Sequence, residues 1–297
     1  MLKHHHPNPV SPRRVVILGA NGFVARNLAQ QLSETGVPHV ALGSAQVDLL
    51  HPDSIGKLED LVQPEDALVI TSALTPEKGK DVRTFMKNLT MVGHVCAFLE
   101  KARCAHVIYL SSDAVYDEAQ SLVSETTART GVGLYGLMHV AREQMLQSAT
   151  AKPQIPLCVV RPCAIYGAAD THNSYGPNRF IRTAIRDRKI TLFGSGEEQR
   201  DHIYCKDVCR FLEVCLRHRT EGAVNIVTGK AISFHDVAQM IVRLSPHPVQ
   251  LECLPRATPI THRHFDLSVR LTEFPDFRTT PFDTGLAESF RGLSSGG

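Results

Sequence analysis

The chain has 297 residues, 43% apolar and 21% charged, which allows a large buried core and excludes a disordered or collagen-like chain. Lys plus Arg number 32 against 30 Asp plus Glu, a formal charge of +2, so nothing in the balance points to a nucleic-acid partner. The longest apolar runs, such as 15–18 and 67–70, fall far short of the roughly 20 residues of a membrane-spanning helix, and a chain with no membrane partner in a cytoplasmic setting is expected.

Taken in chain order, the opening MLKHHHPNPVSPRR has no periodicity and neither the apolar core nor the cleavage site of a secretory signal; residues 1–13 read as a disordered tail. The β-branched run 15–18 passes into a helical pattern over 22–32 and a second strand over 37–42. A strand over 67–70, a helix over 81–101, a strand over 106–110, a helix over 134–148 and a strand over 157–160 follow. The strands are nearly continuous apolar runs, as burial on both faces demands, so the alternation predicts an α/β fold with a Rossmann-type doubly wound parallel sheet. After Arg161 the rhythm loosens into the Gly, Asn and Pro-rich stretch 167–178. A dinucleotide-binding domain over 14–166 and a smaller C-terminal substrate-binding lobe over 167–292, interleaved with the core, are therefore expected, with a flexible tail over 293–297. The eight cysteines form no C-x-x-C pair, which reads as buried free thiols and no metal site.

Between the first strand and first helix lies Gly19-Ala20-Asn21-Gly22-Phe23-Val24-Ala25. Gly19 permits a tight turn and Gly22 lets backbone amides approach a diphosphate seated on the helix N-terminus, with Asn21, Phe23 and Val24 completing the cradle. The second strand ends in Ala41-Leu42-Gly43-Ser44 with no acid to hold adenosine ribose hydroxyls, so NADP is permitted alongside NAD. No arginine follows in that turn; Ser44 stands there, and Arg14 or Arg26 would have to reach a 2′-phosphate. Asp48 either accepts from the adenine amino group or caps the segment after it.

With the glycine turn, Asn88, Leu110-Ser111-Ser112-Asp113-Ala114-Val115-Tyr116, Tyr135, and Arg161-Pro162 through Tyr166-Gly167 fall in a fixed order. Gly194-Ser195-Gly196, then Arg200-Asp201-His202-Ile203-Tyr204 and Asp207, follow. This series resembles the extended short-chain dehydrogenases/reductases of the NAD-dependent epimerase/dehydratase type, which modify nucleotide sugars, over residues 14–290. The resemblance implies that Tyr135 exchanges a proton with a sugar hydroxyl or ketone whose oxygen Ser112 also holds, while hydride passes to or from NAD or NADP. It also implies Ala73, Asn88, Tyr135, His139 and Arg161 as cofactor contacts. Asn173, Asn178, Arg179 and Arg200 would hold the nucleotide diphosphate, although Asn178 could equally cap the helix expected over 179–188. His172 and His202 are candidates by neighbourhood alone, and a satisfied or solvent-facing imidazole is expected at each over a catalytic one.

The chain departs from that pattern in one place above all: the family's Tyr-x-x-x-Lys is Tyr135-Gly136-Leu137-Met138-His139. The lysine ordinarily bonds the nicotinamide ribose and lowers the tyrosine pKa from about 10, whereas a free histidine with pKa about 6.5 is mostly neutral at pH 7. A fixed cation is lost, and Tyr135 and His139 are expected to titrate as a coupled pair. Ala114 stands where 4,6-dehydratases carry Glu, which disfavours dehydration, while Asp113 resembles the acid of 4-keto-sugar reductases. The implied function is a nucleotide-sugar epimerase acting through a 4-keto intermediate. The alternatives are an NADPH-dependent 4-keto-sugar reductase or a dinucleotide-binding regulator without turnover, and the family's helix pairing allows a homodimer.

Overall fold

Residues 15–18 and 67–70 are buried at every position and 106–110 at four of five, as strands covered by helices on both faces must be. The computed structural model describes residues 2–101, 104–168, 170 and 176–295. They form two units: residues up to Asp117 with Glu125–Pro162 and Val208–Ile226, and Glu118–Ser124 with Cys163–Asp207 and residues from Val227 onward. The boundary expected after residue 166 thus falls after Pro162, and the chain returns to the first unit because Thr220–Ile226 pairs in parallel with Leu157–Pro162.

The first unit contains β1 (Lys3–His4), β2 (Val15–Leu18), α1 (Phe23–Glu34), β3 (His39–Leu42), α2 (Ser54–Leu61), β4 (Ala67–Ile70), α3 (Val82–Lys101), β5 (His106–Leu110) and α4 (Gly133–Ala151). Its seven-stranded sheet runs β1, Thr220–Ile226, Leu157–Pro162, β5, β4, β2, β3, with every pairing parallel except that of β1. β2 lies between β3 and β4, so the strand order reverses there, and the crevice outside the carboxyl ends of β2 and β4 is where such sheets take ligands. Val16, Leu68, Val92, Phe98, Val107 and Leu146 are fully buried members of the core between sheet and helices.

The opening residues are not a disordered tail. Lys3 and His4 pair antiparallel with Glu221 and Thr220, so the sheet ends there in an edge strand of two residues. Side chains reinforce it: His4 Nδ1 lies 2.9 Å from Thr220 Oγ1, His5 Nε2 2.7 Å from a Glu221 carboxylate oxygen, and His218 Nδ1 donates to the His6 carbonyl at 2.9 Å. At the other end the helix Phe282–Ser295 runs into the expected flexible tail, while residues 296–297 lie outside the described residues.

The second unit has a three-stranded sheet (Ala164–Tyr166, Gln199–Tyr204, Ala231–Ser233) and a parallel pair of Lys189–Phe193 with Gln250–Leu254. Its core centres on Ile181, Ile190, Val237, Ile241, Leu286 and Phe290. No helix among the described residues is long and apolar enough to cross a membrane.

A buried ionic network ties α4 to the sheet. Glu143 receives Ser111 Oγ at 2.6 Å, a forked pair from Arg161 Nε and Nη2 at 2.9 and 2.8 Å, and Arg129 Nη1 at 2.7 Å. Arg161 Nη1 also donates to Tyr116 Oη, which donates to Asn225 Oδ1, both at 2.8 Å. Burial raises the Glu143 pKa, but the Arg161 hydrogen bonds and charge outweigh it and hold the carboxyl below its usual value. The resulting stabilisation is complete above the unfolded glutamate pKa of about 4.3 and is lost as pH falls through the lower folded value. Glu143→Ala, which strands Arg161, is expected to cost about 3–5 kcal/mol at pH 7. Urea unfolding of both proteins from pH 3 to 6 should show a flatter acid dependence in the variant; equal slopes would exclude Glu143 as the titrating group.

Candidate functional site

The crevice begins at Gly19, whose φ of +104° suits glycine and whose added Cβ would lie 2.9 Å from Ser72 Cα and N. The turns after β2 and β4 therefore touch through backbone. The amides of Gly19 and Ala20 donate to the Leu42 carbonyl at 2.9 and 3.1 Å, and that of Gly22 to the Gly19 carbonyl at 2.8 Å. Gly22 then caps α1 with no side-chain hydrogen bond, and no acidic residue occupies the first helical turn. Amides at the start of a helix have no intrahelical acceptor, so those around Phe23 and Val24 carry unneutralised partial positive charge. This cradle of helix-start amides, with no acidic side chain in the first turn, fits a dinucleotide diphosphate.

Around it, Asn21 and Ser44 are exposed. Asp48 does not cap α2, where Asp53 stands at the N-cap; its Oδ1 accepts from the Leu50 amide at 3.0 Å and closes a local turn. Arg14, at the opposite end of β2, is held by Asp66 through Nε at 2.9 Å and Nη2 at 2.5 Å, so it does not reach toward a 2′-phosphate. Asn88 is buried, and its amide brackets Leu74, accepting from N at 2.8 Å and donating to O at 2.9 Å. Its polar atoms shape the loop carrying Ala73, and any effect on a cofactor runs through that loop. Arg161, expected as a cofactor contact, is 2% exposed and committed to Glu143 and Tyr116.

Ser112 follows β5, and its Oγ accepts from the Ala114 amide at 3.1 Å, capping a short 3-10 turn, Asp113–Val115. That turn rests on the start of α4: the Gly131 and Val132 amides donate to the Val115 and Ala114 carbonyls at 2.9 and 2.8 Å. The approach requires glycine at 136, where a Cβ would lie 2.1 Å from the Ala114 oxygen. Ser112, Asp113 and Tyr135 are thereby carried on two elements locked together, with Tyr135 half-buried.

One turn on, His139 is 2% exposed, its Nδ1 lies 2.6 Å from Tyr109 Oη, and its Nε2 has no partner. The Tyr135 ring packs edge-on against it, centroids 4.7 Å apart. Burial, and then the charge of Arg142, push the His139 pKa down to about 3. Burial thus favours the neutral imidazole, which works against the coupled titration expected of Tyr135 and His139. Sequence reasoning passed over Tyr109 and Arg142; the signal available was an arginine three residues after the histidine, on the same helix face.

In the second unit, Asn178 is buried and does not cap its helix: Oδ1 accepts from the Gly167 amide at 3.2 Å and Nδ2 donates to Asp170 Oδ2 at 2.5 Å. Arg200 is paired with Glu198 and donates to Thr261 Oγ1 at 2.9 Å, so its fork is engaged within the unit. Arg179, beside Asn178, is half-buried, while Asn173 and His172 lie outside the described residues. His202 is not solvent-facing: both ring nitrogens are buried and have no partner among the described residues, the ring lies against Phe234 and Phe282, and burial holds its pKa down to about 3.

The packing at residue 136 is directly testable. Gly136→Ala is expected to lower the unfolding free energy by about 1–3 kcal/mol, the usual cost of overpacking. Gly56→Ala in α2, where nothing lies within 4 Å of the added carbon, should be neutral or stabilising in the same urea titration.

Comparison with known proteins agrees with this arrangement. Residues 15–227 match the NAD dependent epimerase/dehydratase family. Among curated proteins, an uncharacterized UDP-glucose epimerase, YtcB, of Bacillus subtilis is 26% identical over 140 residues, covering 46% of this chain and 44% of that one. A dTDP-D-glucose 4,6-dehydratase of Dictyostelium discoideum is 26% identical over 151 residues, 46% of this chain and 35% of that one. The chain thus spans less than half the length of either relative. Among solved structures, a GDP-L-fucose synthetase from Naegleria fowleri bound to NADP superposes with TM-score 0.85 at 16% identity, over 99% of this chain and 97% of that one. The Thermus thermophilus UDP-glucose 4-epimerase in complex with NAD does so with TM-score 0.82 at 16% identity, over 94% and 98%. Matched through its glycine turn, its parallel sheet and the strand that closes the first unit, the chain belongs to the NAD dependent epimerase/dehydratase family.

Proposed function

We propose that the protein is a nucleotide-sugar epimerase that binds NAD or NADP at the glycine turn and works through a 4-keto sugar. The observation that carries this reading is the locking of the Ser112 turn onto the helix that bears Tyr135. Two hydroxyls on a fixed frame are what proton exchange at a single sugar oxygen requires. The uncapped start of α1 would hold the diphosphate, and the loop braced by Asn88 would border it. When bound, the dinucleotide supplies a hydride acceptor that later returns the hydride.

Tyr135 would take the proton from the sugar hydroxyl as its carbon is oxidised and give it back on reduction, with Ser112 orienting the same oxygen. Rotation of the keto sugar between the two steps would invert the carbon. Ala114 leaves no second acid–base group beside Asp113, which argues against loss of water from the neighbouring carbon. The end of β3 has no carboxylate to exclude a 2′-phosphate, which supports admission of either cofactor. A reductase of 4-keto sugars is the second reading, favoured by Asp113 beside Ser112, whose Oγ lies 3.4 Å from the aspartate oxygen.

Purified protein with UDP-, dTDP- and GDP-sugars, followed at 340 nm and by proton NMR, tests these readings. An interconverted C4 configuration without net cofactor change is the expected result, and net NADPH consumption selects the reductase. Tyr135→Phe should lower turnover by about 10²–10⁴-fold with dinucleotide affinity little changed. Tight dinucleotide binding with no sugar altered would replace catalysis with a regulatory role.

A further inference from the structure

Arg142 is fully buried on α4, and among the described residues it has no carboxylate partner. Its Nη2 donates to the Ser72 carbonyl at 2.8 Å, its Nη1 lies 3.8 Å from Met138 Sδ, its guanidinium sits 5.2 Å over the Tyr109 ring, and its Nε has no partner. The adjacent carboxylate, Glu143, is spent on Arg161, Arg129 and Ser111. A buried cation without a paired counter-ion is costly, and its charge acts on the groups around it.

Tyr135, His139 and Arg142 share one face of α4, at spacings of four and three residues. The histidine stands between the other two, its ring against Tyr135 and its Nδ1 on Tyr109 Oη. Burial raises the Tyr109 pKa, so its phenol keeps a proton that it can donate to an unprotonated Nδ1 2.6 Å away. The proton of the neutral imidazole is then on Nε2, the buried nitrogen that lacks a partner.

We propose that Arg142 and Tyr109 are positioning residues for Tyr135: the buried guanidinium supplies the permanent positive charge that favours its phenolate, and the Tyr109 hydroxyl fixes the intervening His139 as a neutral Nε2–H donor. The inference rests on Tyr135 as the proton-transfer group and deepens that reading by locating its charge partner. Three side chains then divide between them the charge and the donor that a single ammonium at position 139 would combine. Other ionisable groups around this row include Cys96 and Glu100 of α3, Asp113 of the 3-10 turn, and Glu143 with Arg161 and Arg129. Burial pushes the Cys96 thiol up to about 11, so it is neutral, and the Glu143 carboxylate is matched by Arg161.

Seven residues of helix separate Arg142 from Tyr135 by about 10 Å along the axis. At that range a unit charge is worth about one pH unit in a medium of effective dielectric constant about 20. The test uses ligand-free protein labelled with ¹³C at tyrosine Cζ, the Tyr135 signal being assigned by its loss in Tyr135→Phe. Arg142→Met should raise the Tyr135 titration midpoint by about one pH unit, and Arg142→Lys should restore most of it. The wild-type protein gives a second readout that needs no variant: two-bond ¹⁵N–¹H spectra should show His139 as the Nε2–H tautomer from pH 6 to 8, and Tyr109→Phe should mix the tautomers. An unmoved midpoint in folded Arg142→Met overturns the proposal, as does a wild-type His139 protonated on Nδ1. So does an Arg142→Met protein that binds dinucleotide more weakly with its Tyr135 midpoint unchanged, since the charge would then serve the phosphates. Because no substrate enters these measurements, absence of sugar turnover bears on the epimerase reading alone.

Discussion

The Glu143 carboxylate is where helix α4 is fastened to the parallel sheet. Four groups converge on it, from the end of β5, the loop before α4 and the strand Leu157–Pro162, and Tyr116 extends the contact to Asn225 on the next strand. The energetic reason is reciprocal: an arginine and a glutamate removed from water each need the other, and the fork of Arg161 satisfies both carboxylate oxygens. With α4 set in this way, the positions of Tyr135, His139 and Arg142 follow from helix geometry, and the Ser112 turn has a fixed surface to lie on.

Helix α4 itself carries an arginine in the opposite electrostatic situation to that of Arg161 on the neighbouring strand. Arg161 is neutralised within the fold, and its charge is spent on architecture. Arg142 is buried as deeply, yet its contacts are a carbonyl, a thioether and an aromatic face, none of which carries a negative charge. Placed beside it, His139 is held neutral, and the half-buried phenol of Tyr135 lies at the solvent end of the row.

Much of this fold was legible in the sequence because its signals are local. Four apolar residues followed by glycine and a helical period fit the first strand, turn and helix of a doubly wound sheet because further strands and helices alternate after them. The site was legible where backbone decides, at Gly19 and Gly22, and less so where a partner distant in sequence decides, as at Gly136, whose need for glycine is set by the Ala114 carbonyl. Arg161 after a strand reads as a ligand contact until Glu143, 18 residues earlier, claims it. Asn178 and Arg200 read as phosphate contacts, and in the structure Asp170 and Glu198 take up their polar atoms. Arg142 escaped notice because a charged residue in an amphipathic helix ordinarily marks the wet face. β1 escaped because two residues of backbone pairing leave no periodicity to detect.

That short strand has a consequence for how the protein meets its neighbours. With Lys3 and His4 seated on Glu221 and Thr220, one margin of the seven-stranded sheet ends in a strand of only two residues, a short edge that gives another chain little to zip onto. Removing residues 2–6 would leave the dinucleotide cradle at the far side of the sheet untouched while turning that margin into a template. A trimmed protein should then reveal itself first in the ultracentrifuge, as faster-sedimenting species, and only later in any measure of cofactor affinity.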